Sequence, residues 1–302
     1  MNNSRYYFSA ISAFSIWGVF SLALRPIKEF APLDILFYRI SLCLILLLIL
    51  VFAIRRKQLN ETLRTFSAFD KTKKRKLLSI NVVAGLLLTS NWFLFIYVMN
   101  FVSVKATALS YLVCPILTAA LAVIILKEKM KNIQWIALLV GCAGCGMLAA
   151  GHLRDLVLSV LIGVSYALYL IIQKKNAGFD SFCILTFHVC VAVATLGILF
   201  PFLDIGVPQS PKFYGFIAII AVCFTILPMF LSLLALKGIK SSTVGMLMNI
   251  NPIISFALSV FYFDEKADAW QYSAYSIVFV SVILFNIPAI LGKRNTEPAT
   301  AE

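Results

Sequence analysis

The chain has 302 residues, of which 61% are hydrophobic and 13% charged, with a mean hydropathy of +0.95 and a formal net charge of +13. No soluble domain needs so much apolar sequence, so the bilayer is the solvent, and a soluble enzyme is excluded. The positive surplus reads as a membrane-surface and topology signal, and nucleic acid is not an expected partner.

Ten apolar runs are long enough to cross a hydrocarbon core of about 30 Å. They lie near 7–25, 33–54, 77–100, 104–126, 132–150, 153–173, 180–200, 212–236, 241–263 and 268–291. Each must be helical, because a backbone in lipid has to satisfy its polar groups within its own segment. The first run is not a signal peptide, since it has only Arg5 ahead of it and meets Arg25-Pro26 without a small-residue cleavage site. It carries Trp17. The second run carries Arg39, the only basic residue clearly inside a span, and a charge at that depth needs a cavity or a partner. Trp17 and the Asn91-Trp92 pair of the third run offer it an aromatic, polar wall.

The fourth run holds Tyr111, a further wall candidate, and Pro115 near its middle, and it ends at Glu128-Lys129. In the fifth, Cys142 and Cys145 form a C-x-x-C without a second pair. Packing is its expected role, along a small-residue stripe of Ala137, Gly141 and Cys145. His188 sits in the seventh run. In the ninth, Asn249 and Asn251 flank Pro252, placed to bond either the backbone freed by the proline or a ligand.

The basic residues orient the bundle. With the N-terminus inside, the cytoplasmic loops collect Arg5, the nine basic residues of 55–76, Lys127, Lys129, Lys131, Lys174, Lys175, Lys237, Lys240, Lys293 and Arg294. The other side collects only Arg25, Lys28, Lys105, Arg154, Lys212 and Lys266. The excess belongs inside, so both termini are expected in the cytoplasm.

The chain is internally duplicated. Segment 105–134 recurs at 242–271, aligning Pro115 with Pro252, Glu128 with Glu265, Lys129 with Lys266 and Gln134 with Gln271. Upstream, Tyr38-Arg39 aligns with Phe187-His188 and Trp17-Gly18 with Tyr166-Ala167, at a shift altered by the long basic loop of the first copy. Five spans per copy is an odd number, so the second copy enters from the opposite face. Lys127, Lys129 and Lys131 close the fourth span where Asp264, Glu265 and Asp268 close the ninth, which agrees with that inversion. The expected division is 1–150, 151–292 and a cytoplasmic tail, 293–302. Inverted repeats of this kind mark secondary transporters that alternate access around a central site.

All thirteen acidic residues fall in loops or at span ends, so no buried carboxylate is available to couple transport to protons or sodium. No G-x-x-x-x-G-K-[ST] segment is present, and the two histidines, His152 and His188, are on different spans, without metal-ligand or triad spacing. No cofactor, metal or catalytic residue is expected. The candidate substrate-binding residues are Arg39, Trp17, Asn91, Trp92, Tyr111, His188, Asn249 and Asn251, with Pro115 and Pro252 as hinges.

NWFLFIYVMN (91–100), ALSYLVCPIL (108–117), the LKEKM and NIQW segments around the end of the fourth span, GMLMNINPIISFALSVFYFDEK (245–266) and DILFYRI (34–40) resemble the RarD-like branch of the EamA family, in the drug/metabolite transporter superfamily. Tyr38 stands where that family's second span has His. The resemblance covers nearly the whole chain. It implies ten helices in two inverted five-helix halves, both termini cytoplasmic, and a permease for amino acids, nucleotide derivatives or drugs, RarD-like proteins being labelled chloramphenicol-resistance permeases. The reading is thus an all-α carrier of a small organic solute in a bacterial inner membrane. Solute and lipids are its partners, and a homodimer is compatible with it. A channel or sensor subunit is the alternative, ahead of a membrane enzyme, which would need acid and base groups gathered at one interface.

Overall fold

The computed structural model describes residues 4–101, 104–150, 153–176, 178–199, 202, 205–264 and 268–291. His152, Glu265, Lys266 and the expected tail 293–302 lie outside the described residues. Ten helical stretches are long and apolar enough to cross a membrane, numbered here one to ten: Ser4–Ile27, Pro32–Ile54, Lys71–Phe95, Leu109–Leu126, Asn132–Ala149, Leu156–Lys174, Ser181–Leu199, Pro211–Gly238, Ser241–Leu258 and Ala269–Pro288. Pro32 and Pro211 open spans two and eight, at a position where the missing N–H has no helical partner to lose.

The interruptions are more informative than the regular turns. Span eight passes through a π turn, Val222–Ile226, just before Pro228. Proline lacks an N–H, so the carbonyl of Phe224, one turn earlier, is left free for a partner elsewhere. Span nine is two helices, Ser241–Leu247 and Ile250–Phe261, parted at Met248 and Asn249 directly ahead of Pro252. Span four, by contrast, runs unbroken from Val104 to Leu126 through Pro115. Between spans two and three lies Arg56–Ser67, a helix with no buried residue. Leu59, Leu63 and Phe66 share one face of it and basic residues another, the pattern of a helix lying in a membrane interface.

Spans from opposite halves interleave. Span one packs on eight and nine, span six on three and four, span two on eight, span seven on three. Exchanging spans one to five for six to ten turns each of those contacts into another of them, while the pairs two–seven, four–nine and five–ten map onto themselves. This is the relation that two inverted five-helix repeats produce. Crowded glycines mark the seams. A Cβ on Gly18 would lie 2.6 Å from Ile254, on Gly85 2.7 Å from Val191, on Gly245 2.6 Å from Thr118, and on Gly144 2.9 Å from Val278. Each pair joins the two halves, as small residues allow where no hydrophobic force drives helices together in lipid. The expected stripe on span five faces span ten: Ala137 and Cys145 are buried, and Gly141 approaches Ser281.

The two ends of the bundle differ. One, called here the basic end, carries the start of span one, segment 55–76, and the turns at 127–131, 174–180 and 237–240. The other is the far end.

Candidate functional site

A cavity of about 380 Å³ runs from mid-depth toward the far end, within the size range of small-molecule sites. Spans one to four, six and eight to ten line it, so both halves contribute. Arg39 hangs into it from span two, with its Cζ 5.5 Å from the ring centroid of Trp92 on span three. The Arg39 Nε is buried without a hydrogen-bond partner. The guanidinium is thus kept inside the bundle with an aromatic face beneath it and a donor unused. Asp34, one turn earlier, is not its partner: its carboxylate accepts the Gly206 N–H at 2.9 Å. The hydroxyl of Tyr38, the residue that departs from the resembled pattern, donates to the Gly206 carbonyl at 3.2 Å. Together they pin the segment ahead of span eight to the start of span two.

Trp17 and Tyr166, equivalent residues of the two halves, meet edge to face with centroids 6.4 Å apart at the cavity wall. The Trp17 indole donates to the Phe224 carbonyl at 2.8 Å, the acceptor that Pro228 sets free. Asn91, which lines the cavity, donates to the Ile162 carbonyl at 2.9 Å and the Ser165 hydroxyl at 3.1 Å. Tyr111 lines the cavity with its ring 5.3 Å from Phe95. Asn251, Pro252 and Ser255 line it from the second helix of span nine; the Ser255 hydroxyl donates to the Gly18 carbonyl at 2.9 Å and tethers that helix to span one. Among the described lining residues none is Asp, Glu or His.

Of the residues expected at a site, the structure brings Arg39, Trp17, Asn91, Trp92, Tyr111, Asn251 and Pro252 to one cavity. Three stand elsewhere. Pro115 is buried against span nine, its carbonyl 3.4 Å from the Cβ position of Gly245, because its helix carries the cavity face one residue earlier, at Cys114. Asn249 is buried outside the lining, with its Oδ1 unpaired. His188 is fully buried toward the basic end, its Nε2 3.0 Å from Asn81 Oδ1 and its ring against the Tyr169 ring at 5.6 Å. Sequence reasoning missed Ser21, Ser110, Thr225 and Tyr275 as lining residues. It also missed the wall made by span eight, although Pro228, a third mid-span proline, was the available signal.

The basic end is closed by polar contacts between span ends, both across the two halves and within the second. Glu128, at the end of span four, accepts the backbone N–H groups of Ser241 and Ser242 at 2.8 and 3.1 Å and the Ser242 hydroxyl at 2.6 Å. An acid at the first turn of span nine satisfies donors that the helix cannot use and meets the positive end of its dipole. Lys174 donates to the carbonyls of Leu236 and Ile239, both at 2.6 Å, closing the end of span eight in the complementary sense. Arg55 binds Asp180 at 2.9 Å, and Lys237 donates to the Phe179 carbonyl at 2.6 Å. Beneath them Asn81 and Asn176 exchange amide hydrogen bonds at 2.8 and 3.2 Å, and Gln173 accepts from Asn176 at 3.2 Å.

Two stretches of the chain, residues 4–150 and 154–287, each match the EamA-like transporter family. The chain is 26% identical to the uncharacterized transporter YojE of Bacillus subtilis (strain 168) over 95% of both chains. It is 26% identical to protein RarD of Streptomyces exfoliatus, over 94% of this chain and 89% of that one. It is 25% identical to protein RarD of Escherichia coli (strain K12) over 95% of each. A solved crystal structure, 14% identical, superposes with a TM-score of 0.71 over 95% of this chain and 98% of the other, a likeness of fold.

Proposed function

The chain belongs to the EamA-like transporter family, in its RarD-like branch, and from that premise we propose a secondary transporter that carries a small organic solute across a bacterial inner membrane by alternating access around the Arg39 cavity. One observation carries the reading. The cavity penetrates to mid-depth, is walled by both halves, and is stopped at the basic end by contacts between span ends that can separate without breaking a helix. A channel needs a continuous path, and a membrane enzyme needs acid and base groups at the substrate; the lining offers neither among the described residues.

Arg39 binds the acidic group of the solute, a carboxylate or phosphate, and Trp17, Trp92, Phe95 and Tyr111 stack on its planar or apolar part. Asn91 and Asn251 orient it. Span nine, broken ahead of Pro252, flexes as the bundle rocks, and Pro115 supports it from span four. The basic end lies in the cytoplasm with both termini, so the state described is open to the outside. Because no carboxylate or imidazole is among the described residues lining this cavity, the solute runs down its own gradient or exchanges for another.

The test is reconstitution of the protein alone into liposomes, with candidate solutes first chosen by thermal-shift screening of a metabolite set. Saturable flux of a bound solute is expected. A protein that binds solutes from the screen yet moves none of them overturns the carrier reading, and flux that does not saturate favours the channel.

A further inference from the structure

Four buried polar atoms without partners run from the cavity wall toward the basic end: Tyr166 OH, Tyr169 OH, Gln173 Nε2 and His188 Nδ1, with the Tyr166, Tyr169 and His188 rings in successive contact. Tyr169 and His188 are fully buried and Gln173 is 3% exposed. The Nε2 of His188 faces an amide oxygen that can only accept, so Nε2 holds the hydrogen and Nδ1 is an acceptor with nothing to accept. Orphaned donors and acceptors in a bilayer interior are costly, and four in one cluster call for a reason.

The repeat supplies one. At the shift that aligns Trp17 with Tyr166 and Arg39 with His188, Phe20 aligns with Tyr169 and Leu24 with Gln173. Trp17, Phe20, Leu24 and Arg39 all line the large cavity. A small pocket of about 10 Å³, room for one water-sized sphere, lies among Gln173, Asn176, Ser181, Ile184, Leu233 and Lys237. At the same shift Gln173, Ser181 and Ile184 correspond to Leu24, Pro32 and Ile35, three residues of the large cavity's wall.

We propose that this cluster is a second solute site in its collapsed form: the inward-facing half of the pathway, whose walls are Tyr166, Tyr169, Gln173 and His188, with Asn81 and Asn176 as its closed floor. The proposal rests on the carrier reading and extends it to the state that is not seen here. When the basic end parts, the orphaned groups gain water or the polar group of the solute as partners. The two sites are chemically unequal. The outer one presents a guanidinium and takes an anionic group; the inner one presents phenol, amide and imidazole groups, and hydrogen-bonds the same solute without a fixed countercharge. Solute is therefore gripped at the outer site and loosened at the inner one.

The experiment uses the whole protein in membrane vesicles of both orientations and a membrane-impermeant maleimide as probe, with labelling of the unsubstituted protein subtracted. Gln173→Cys reports the inner site, Ser21→Cys the outer cavity, each with and without Glu128→Ala, which removes the closure at the start of span nine. Labelling of Gln173→Cys from the basic side should rise at least about threefold on adding Glu128→Ala, while Ser21→Cys labelling from the far side falls to a similar degree. Ser181→Cys, a near-isosteric exchange in the same pocket, repeats the inner measurement if Gln173→Cys does not fold. Inner labelling that stays at background, or rises with no fall outside, overturns the proposal: the first makes the cluster permanent core, the second local fraying. Background inner labelling in a protein that still carries solute removes the inner site and leaves the carrier, whereas reciprocal labelling without flux supports the moving site and removes the carrier.

Discussion

The far end and the basic end of this bundle are built from the same repeat, yet one holds a wide cavity and the other a stack of hydrogen bonds. At the far end the polar groups point inward to empty space: the Arg39 Nε has no partner, and the aromatic rings of Trp17, Trp92 and Tyr111 leave faces uncovered. At the basic end polar side chains cap helix termini, Glu128 of the first half onto span nine of the second and Lys174 onto span eight of its own half. The same chain thus offers two solutions to one problem, how to hold polar groups at depth. Where the end is open the Arg39 Nε is left without a partner; where it is shut most polar groups satisfy each other, although the Arg55 Nε and the Ser241 Oγ have no partner either.

The largest expected effect breaks the open end. Arg39→Ala should weaken solute affinity about 10- to 100-fold, the range covered by hydrogen bonds to a charged group, with a loss of thermal stability no larger than the Trp92 contact, about 0.5–2 kcal/mol, because the Nε has no hydrogen bond to abandon. Arg39→Lys should recover part of the affinity, since it keeps the charge and loses the fork. Normal affinity in the alanine variant would mean that the guanidinium serves only to hold the helices.

Breaking the closed end comes next. Glu128→Ala should cost about 1–3 kcal/mol of thermal stability, as donors of Ser241 and Ser242 lose their acceptor. Differential scanning in detergent reads the shift. Unchanged stability sinks the closure.

Pro252 stands between the two ends, and here the contrast can be sharpened. Pro252→Ala restores one backbone hydrogen bond, worth about 1 kcal/mol, and should slow turnover about fivefold with little change in affinity. Pro115→Ala should do less, since span four is already continuous. Equal effects from the two variants would restore a symmetric pair of hinges.

The smallest effect is on function and bears on which end is which. Lys73→Cys, in the exposed start of span three, should be labelled only from the cytoplasmic side, with flux unaltered. Labelling from outside reverses every assignment of direction made above.

The fold was legible because its signals are additive and local. Long apolar runs state the number of spans, and the recurrence of Pro115 and Glu128 at Pro252 and Glu265 states the duplication, so ten helices needed no tertiary information. The cavity was legible in part. Arg39 was found because a lone charge at depth has few places to go, and Trp17, Asn91 and Trp92 because they are polar-capable residues at matching depth. His188 lies at the inner-side position that its alignment with Arg39 gives it, but the two halves sit in different states, so its face is shut while that of Arg39 is open. Pro115 and Asn249 escaped because rotation about a helix axis by one residue separates a cavity wall from a helix interface, and such a rotation is set by packing rather than by spacing. The wall of span eight depended on a hydrogen bond between Trp17 and Phe224 that no local pattern announces.

The crowded glycines also bear on how the protein is made. Gly18 and Gly85 belong to the first half, and the side chains that fill their grooves, Ile254 and Val191, belong to the second. Chains enter the membrane from the N-terminus, so spans one to five reach the bilayer before their partners have been synthesised. Those grooves must first be occupied by lipid tails or by the insertion machinery and then emptied. The final shape arrives only when span nine slides against span one. A ribosome that stalls after residue 150 leaves a five-span fragment with its seams facing lipid, a substrate for quality-control proteolysis rather than half a transporter.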